Sequence, residues 1–545
     1  MNNQRVDNCK IKVLLGFLFV GILVSCSKGN KSEKIDRVFR YNEAANITTL
    51  DPAFAKDLRT IWATNQLFNS LVQLNDQLEV EPDAAKSWEI SNEGKSYEFT
   101  LRSDVYFHKH MLFGKDSTRR VTAKDFEYSF KRLLDPKVAS PGKWVLEHVS
   151  HFEAVNDSIF RIELKQAFPP FISLLSMRYC SVVPEEAIAF FKDNFRSNPI
   201  GTGPFQFKLW VENTKLVFRK NGLYYERDSL GNRLPYMEAV AVTFLPDKQS
   251  EFLQFVQGNL DFLNSIDASY KDELLTTKGT LTETYKSKIN MVKGPYLNTE
   301  YLGIYLDAEE DEVQSLKIRK ALNYGFDRKK MILYLRNGIG TPAVNGFIPK
   351  GLPSFNHMEG YDYQPEKAKN LVQSYIEETG NTEPSLTIST NSQYLDLCEY
   401  IQREVEKTGL NVEIDVMPPS TLRQTKVNGQ LSIFRGSWVA DYPDAENYLF
   451  IFHTKKFSPN GPNYTHYSNK NYDLLFEESI RTVDKKKREV LYQKMDSLLM
   501  ESAPLVPLYY DEVVRFTQNN VEGLGINPIN HLILKHVKKV NQRNK

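Results

Sequence analysis

Residues 435–447 read RGSWVADYPDAEN and combine an arginine, a tryptophan and acidic side chains between two apolar segments. Residues 431–434 before them are typical of a short strand, and residues 448–452 after them are apolar again. A loop that follows a strand is a common place for a ligand site, because the strand holds the polar groups of the loop in position. Two interpretations stay open at this point: a ligand site built on Arg435 and Asp441, or a surface turn with solvated acids.

The composition is that of a globular protein with more than one domain. The chain has 545 residues, of which 41% are hydrophobic and 25% are charged, and this length exceeds one ordinary hydrophobic core. The 69 basic and 68 acidic residues leave a net charge of +1, so no basic surface is expected. We therefore expect no nucleic-acid partner.

The first 25 residues have the features of a signal peptide. Basic residues precede an apolar run at residues 13–24, which is too short to cross a bilayer but suits a signal-peptide core. The run ends in LVSC at residues 23–26, which resembles a bacterial lipobox. We predict that Cys26 is lipidated and that residues 26–36 are a polar tether to a membrane surface. An ordinary signal peptide or a short anchor helix stays as the alternative.

Cysteine and histidine usage predicts neither a disulfide nor a metal site in the folded body. Cys180 and Cys398 lie far apart and in different predicted lobes, so we predict two separate buried thiols. His108 and His110 are spaced for one face of a strand, but a closed metal site needs three or four ligands and no further ligand is apparent. We expect no cofactor.

The order of predicted strands and helices favours a mixed sheet. Residues 385–416 alternate strand, helix and strand, which is typical of partly parallel pairing. Residues 198–207, NPIGTGPFQF, are rich in glycine and proline, but a phosphate loop would need a GK[ST] sequence and a following helix. Two late strands, at residues 505–510 and 513–516, are predicted to rejoin a sheet that begins near the N-terminus.

Nine short motifs follow one another along the chain: LDP (50–52), LEVEPDAAKSW (78–88), YEFTLR (97–102), VYFH (105–108), VTAKDF (121–126), PIGTGPF (199–205), RKALNYGFDRKKMI (319–332), GFIPKG (346–351) and WVADYPDAEN (438–447). With these motifs the chain resembles the family 5 extracellular solute-binding proteins, the peptide- and nickel-binding receptors of ABC importers. The resemblance covers nearly all of residues 38–535. It implies an α/β fold: a two-lobed clamshell of the periplasmic-binding-protein type, class II-like with mixed sheets, with an extra N-terminal subdomain.

The resemblance also implies a division of the chain into domains. Residues 1–25 would be the lipoprotein signal peptide and residues 26–36 the tether. Lobe I would combine residues 37–76, 200–290 and 498–545, with the extra subdomain at residues 77–199 and lobe II at residues 291–497.

The function implied by the resemblance is ligand binding rather than catalysis. A substrate-binding lipoprotein of this family captures short peptides between its lobes and delivers them to a membrane permease. In peptide-binding members the aspartate of the W-x-x-D segment receives the α-ammonium of the peptide, and Asp441 matches that position. Arg435 matches an arginine that meets the carboxylate of short peptides, and Trp438 matches an aromatic residue of the pocket. An ion pair of this kind recovers the cost of desolvating both charges.

Other ligands and one other class of protein stay open. A nickel chelate, haem or an oligosaccharide would suit the same class of receptor, whereas an envelope hydrolase would need a nucleophile with a base. Neither G-x-S-x-G nor H-E-x-x-H occurs in the chain, so we predict that it is not an enzyme. Residues 115–120 look like extra sequence, and Lys56-Asp57 stands where oligopeptide binders place an acidic contact. We expect a monomer in the cell envelope, outside the cytoplasm.

Overall fold

The computed structural model describes residues 36–265, 267, 270–356 and 360–540. The predicted signal peptide, Cys26 and nearly all of the predicted tether lie outside the described residues. Within those residues, no helix combines the length and the apolar character needed to cross a membrane.

The strands are spread over the whole described chain. They are β1 (Val38–Glu43), β2 (Val72–Leu74), β3 (Val80–Pro82), β4 (Ala85–Ser91), β5 (Ser96–Leu101), β6 (Val149–Asn156), β7 (Ile159–Leu164), β8 (Phe205–Val211), β9 (Lys215–Lys220), β10 (Ala239–Phe244), β11 (Phe262–Asn264), β12 (Ile289–Ile304), β13 (Thr341–Pro342), β14 (Ser385–Thr390), β15 (Asn411–Val416), β16 (Ile433–Val439), β17 (Leu505–Gln518), β18 (Val521–Glu522) and β19 (Lys538–Lys539).

Helices lie between most of these strands. The α-helices are Leu58–Leu67, Ala123–Leu134, Phe171–Leu174, Glu185–Phe191, Lys248–Val256, Lys271–Leu274, Asp311–Gln314, Leu316–Tyr324, Arg328–Leu335, Pro365–Thr379, Leu395–Val405, Pro419–Val427, Glu446–Leu449, Lys470–Ser479 and Lys485–Ser502. The 3₁₀ helices are Pro52–Phe54, Asn92–Gly94, Met111–Asp116, Lys143–Leu146, Arg178–Cys180, Lys192–Ser197, Ser392–Tyr394, Glu406–Thr408, Phe450–Phe452 and Thr454–Lys456.

Three larger sheets organise the described chain. One has the order β1-β10-β9-β8, a second β4-β5-β7-β6, and a seven-stranded sheet runs β11-β17-β12-β16-β14-β15, with β13 on β17. In the seven-stranded sheet β14 pairs in parallel with both β15 and β16, whereas β12 pairs antiparallel with β16 and β17. The predicted mixed α/β fold is therefore confirmed.

The long strands β12 and β17 form the centre of the seven-stranded sheet. They pair from Ile289 opposite Gln518 to Gly303 opposite Leu505, with shifts in register after Pro295 and after Glu300. The prediction that residues 505–510 and 513–516 rejoin the sheet of β1 is therefore wrong. These two segments form one continuous strand, β17. Nearly every residue of β17 is buried, so both faces of the sheet are covered at this strand, while β11 and β12 pair with its edges.

The buried side chains form several separate cores. One core joins the sheet of β1 to the sheet of β4, through residues such as Phe39 and Phe99. Two others contain Ile388 and Tyr448 and lie with the seven-stranded sheet. The cysteines Cys180 and Cys398 are fully buried and free, so the prediction of two separate thiols is confirmed.

The PIGTGPF motif lies against the end of the helix Leu58–Leu67. A Cβ atom on Gly201 would come within 2.0 Å of the Leu67 carbonyl oxygen, so this approach requires glycine. The buried His108 holds the same loop: its Nδ1 accepts the Gly201 N–H at 3.2 Å, and its Nε2 lies 3.1 Å from the Gly203 carbonyl oxygen. Both ring nitrogens are therefore hydrogen-bonded to backbone groups of the loop, and burial lowers the pKa of His108 to about 4.

Candidate functional site

Strand β16 carries two of the three predicted ligand residues. Arg435 and Trp438 lie within the strand, opposite Leu302 and Thr299 of β12, and Asp441 follows two residues after its end. The predicted strand at residues 431–434 is thus too short, because Gly436 continues the strand instead of ending it. A side chain at that position would meet the ring of Tyr301 at 2.8 Å.

Asn447 holds Asp441 and Trp438 together. The backbone N–H of Asp441 and the indole Nε1 of Trp438 both donate to Asn447 Oδ1, at 3.1 Å and 3.2 Å. The Nδ2 group of Asn447 donates in turn to Asp441 Oδ2 at 3.4 Å. Asn447 is buried at the start of a short helix, so the position of the Asp441 carboxylate is set by the protein before any ligand arrives.

The Asp441 carboxylate carries a charge that has no basic partner among the described residues. Its side chain stays exposed, yet surrounding protein displaces enough water to raise its pKa, opposed by the Asn447 hydrogen bond. A carboxylate in these surroundings favours a cation that replaces the lost solvation. The structure therefore places an uncompensated negative charge where the sequence predicted an ammonium partner.

The N-terminal half of the chain contacts the segment that contains Asp441. The ring of Trp144 lies 6.2 Å from the ring of Tyr442, the residue after Asp441. Burial raises the pKa of Tyr179 to about 12, and the charges of Asp441 and Asp57 add to that rise. The charges of both carboxylates thus act on the Tyr179 hydroxyl. The sequence did not indicate Tyr179, because this residue belongs to none of the motifs and only the fold brings it near the segment of Asp441.

Arg435 is already paired within the protein. Its Nη2 group donates to Glu300 Oε2, and the ring of Tyr394 lies against the guanidinium, with 3.3 Å from Cζ to the ring centroid. The side chains of Arg435 and Glu300 are only 10% and 5% exposed. Burial raises the pKa of Glu300, and Arg435 opposes that rise. Sequence reasoning missed Glu300, which lies on β12 and 135 residues before Arg435.

A cavity of about 440 Å³ lies beside this pair. Tyr394, Arg336 and Asp511 are among its lining residues, and Arg336 Nη2 donates to Asp511 Oδ1 at 2.8 Å. Its walls thus offer aromatic surface and the ion pair of Arg336 with Asp511. No group of three or more potential metal ligands occurs among the residues that the structure describes.

Comparison with known proteins assigns the chain to a family. Residues 79–460 match the bacterial extracellular solute-binding proteins, family 5 Middle. The dipeptide-binding protein DppE of Bacillus subtilis is 24% identical over 92% of each chain. Heme-binding protein A of Haemophilus influenzae is 26% identical over 82% of each chain.

A solved structure shares the fold. The periplasmic binding protein DppA of Helicobacter pylori, in complex with the peptide STSA, matches with a TM-score of 0.72 and 24% identity, over 93% of this chain and 99% of that one. The predicted two-lobed fold is therefore confirmed. The family match spans most of the chain, and the chain belongs to the bacterial extracellular solute-binding proteins, family 5.

Proposed function

We propose that this protein captures short peptides between its two lobes, as the substrate-binding lipoprotein of an ABC importer. The observation that carries the proposal is the uncompensated carboxylate of Asp441, held by Asn447 beside Trp438. The α-ammonium of a peptide would supply the missing positive charge. The similarity to DppE, a dipeptide-binding protein, supports the same ligand class.

In the proposed site, each residue contacts a different part of the peptide. Asp441 receives the ammonium group, and Trp438 lines the pocket beside it. Arg435 is already paired with Glu300, so a ligand carboxylate would have to share the guanidinium with Glu300. A short peptide would therefore gain less binding free energy from Arg435 than from an unpaired arginine. No step of this scheme breaks a bond, and the protein acts as a receptor rather than an enzyme.

We further propose that the lobes follow the predicted division of the chain. Strand β1 and strands β8 to β10 share one sheet, which supports a lobe I built from residues 37–76 and 200–290. Strands β4 to β7 form their own sheet, which supports an extra subdomain at residues 77–199. Of the predicted range 498–545, the part after β17 would complete lobe I, because Val521, Leu532 and Val537 are buried in the core of the β1 sheet. Strand β17 itself pairs in the seven-stranded sheet with the strands of residues 291–497, which would form lobe II. A monomer would deliver its ligand to the permease.

The first test compares peptides with free and acetylated N-termini. We expect residues 27–545 to bind free tri- and tetrapeptides in isothermal titration, and to bind the acetylated peptides at least about 30-fold more weakly, because an amide cannot neutralise Asp441. Equal affinity for both sets would overturn the assignment of Asp441. Binding of a nickel chelate, haem or an oligosaccharide without any peptide binding would favour the alternative ligands.

The lipid anchor is tested separately through Cys26. In a bacterial host with a lipoprotein pathway, the full chain should incorporate an alkyne-labelled fatty acid and sediment with membranes. The Cys26→Ser variant should lose the label and appear in the soluble envelope fraction, while a Cys180→Ser variant should behave like the unchanged protein. Label retained by the Cys26→Ser variant would contradict the proposal.

A further inference from the structure

The loop after β16 contributes one aromatic side chain to the N-terminal half of the chain. Tyr442 follows Asp441 and lies in no helix or strand, yet it is only 7% exposed. It belongs to the hydrophobic core that joins the sheets of β1 and β4. Of the described residues between 291 and 497, Tyr442 is the only one in that core. A side chain of the proposed lobe II is therefore buried among residues of the other proposed domains.

The ring of Trp144, from the N-terminal half of the chain, lies beside the ring of Tyr442. The two ring centroids are 6.2 Å apart and the ring planes are inclined by 36°, which is within the range of favourable aromatic pairs. Trp144 lies in the 3₁₀ helix Lys143–Leu146 and is 38% exposed, so the pair is at the edge of the core. Separation of the two lobes would break this contact and expose the Tyr442 ring to water.

Hydrogen bonds within the loop fix the Tyr442 ring relative to the Asp441 carboxylate. The Tyr442 hydroxyl donates to Glu446 Oε2, and the Asp444 N–H donates to the Tyr442 carbonyl oxygen at 2.9 Å. Asn447, which accepts the Asp441 N–H, lies one residue after Glu446. Because all of these bonds lie within one short segment, the position of the Tyr442 ring also determines the position of Asp441.

A second contact between the same two parts of the chain lies at the turn between β4 and β5. A Cβ atom on Gly94 would come within 3.1 Å of Val483 Cγ2, so this turn packs directly on Val483. Val483 is still 52% exposed, and it therefore gives up less of its surface than Tyr442 does. Tyr442 is the larger apolar contact of the two, and its loss should have the larger effect.

We propose that Tyr442 is a positioning residue for peptide binding: its ring docks the segment of Asp441 against the N-terminal half of the chain and thereby slows the release of a bound peptide. The inference rests on the proposed peptide-binding function and adds a residue that controls the lifetime of the complex. A peptide held at Asp441 leaves when the lobes separate, and that separation removes the Tyr442 ring from its apolar contacts. The contact therefore affects dissociation more than association.

The main test measures the rates of binding of tri-alanine with a free N-terminus by stopped-flow tryptophan fluorescence. Tyr442→Ala should raise the dissociation rate constant at least about tenfold and change the association rate constant less than about threefold, because the ring contacts are lost while the Asp441 carboxylate stays. Tyr442→Phe keeps the ring and loses only the hydroxyl, so it should retain slow dissociation. Tyr334→Ala removes a tyrosine that is 64% exposed and should behave as the unchanged protein does.

Trp144→Ala tests the same contact from the other side and leaves the loop of Tyr442 unchanged. It should also raise the dissociation rate constant, and the double variant should exceed Tyr442→Ala by less than about threefold, because both substitutions remove one shared contact. If Tyr442→Ala does not fold, Trp144→Ala alone decides: faster dissociation supports the inference and unchanged dissociation overturns it. If the two substitutions multiply each other's effects, the assignment of this pair is overturned.

Small-angle X-ray scattering without peptide gives a readout that does not depend on the proposed function. Because the contact favours the arrangement in which the lobes touch, Tyr442→Ala and Trp144→Ala should have a larger radius of gyration than the unchanged protein and Tyr334→Ala. Unchanged dissociation in Tyr442→Ala would overturn the inference, and so would dissociation as fast in Tyr442→Phe as in Tyr442→Ala. If the unchanged protein binds no peptide, the proposed function itself fails, and equal radii in all four proteins would then overturn the docking of Tyr442 as well.

Discussion

Replacing Asp441 by asparagine is expected to weaken the binding of peptides with a free N-terminus by about 2–5 kcal/mol, which is about 30-fold to about 5,000-fold. The variant keeps the size of the side chain and the neighbouring Asn447, but it removes the charge that pairs with the ammonium group. Isothermal titration of one peptide against both proteins measures the difference. Asp415→Asn, at an exposed position on β15, is the matched control and should bind as the unchanged protein does.

The acetylated peptide supplies a second control for the same prediction. Because acetylation removes the positive charge, the unchanged protein and Asp441→Asn should bind the acetylated peptide with similar, weak affinity. If Asp441→Asn binds the free peptide as tightly as the unchanged protein does, the ammonium group lies elsewhere.

The same carboxylate sets the pH dependence of binding. The surrounding protein displaces water and raises the pKa of Asp441 above its ordinary value, and only the ionised form pairs with an ammonium group. Affinity is therefore present above the raised pKa and lost as the pH falls through it, at a higher pH than for an ordinary aspartate. Titrations between pH 7 and pH 4 should show this loss in the unchanged protein and not in Asp441→Asn.

The second large effect is expected on stability. Asp51 of the LDP motif accepts two hydrogen bonds from Arg132, at 3.0 Å and 2.5 Å, and the two side chains are 6% and 12% exposed. Removing one partner of a buried pair leaves the other charge uncompensated. Asp51→Ala should therefore lower the free energy of unfolding by about 3–5 kcal/mol. Urea denaturation followed by circular dichroism measures the change.

An exposed ion pair provides the comparison. Glu238 lies 3.8 Å from Arg37, and both side chains are more than half exposed. Glu238→Ala should cost only about 0–1 kcal/mol, since water screens the pair and solvates the remaining charge. A similar denaturation midpoint for Asp51→Ala and Glu238→Ala would contradict the role given to the buried pair.

Much of the fold was predictable because its motifs have local causes. The glycines of PIGTGPF and the histidine of VYFH mark a close approach of backbones, which depends on residue type as well as on position. The unpaired state of Cys180 and Cys398 followed from their distance in the chain and their different predicted lobes. The sheet to which β17 belongs was not predictable, since a strand buried on both faces can lie in any sheet that other layers cover on both sides.

The site shows the same division. By itself the sequence determined the family, the mixed α/β fold, and the placing of Asp441 and Trp438 in one short segment, because these depend on the order and type of neighbouring residues. Only the tertiary structure decided that Arg435 pairs with Glu300 and that the charge of Asp441 acts on Tyr179. Those interactions join residues far apart in the chain, and their charges depend on burial, which a linear sequence does not specify.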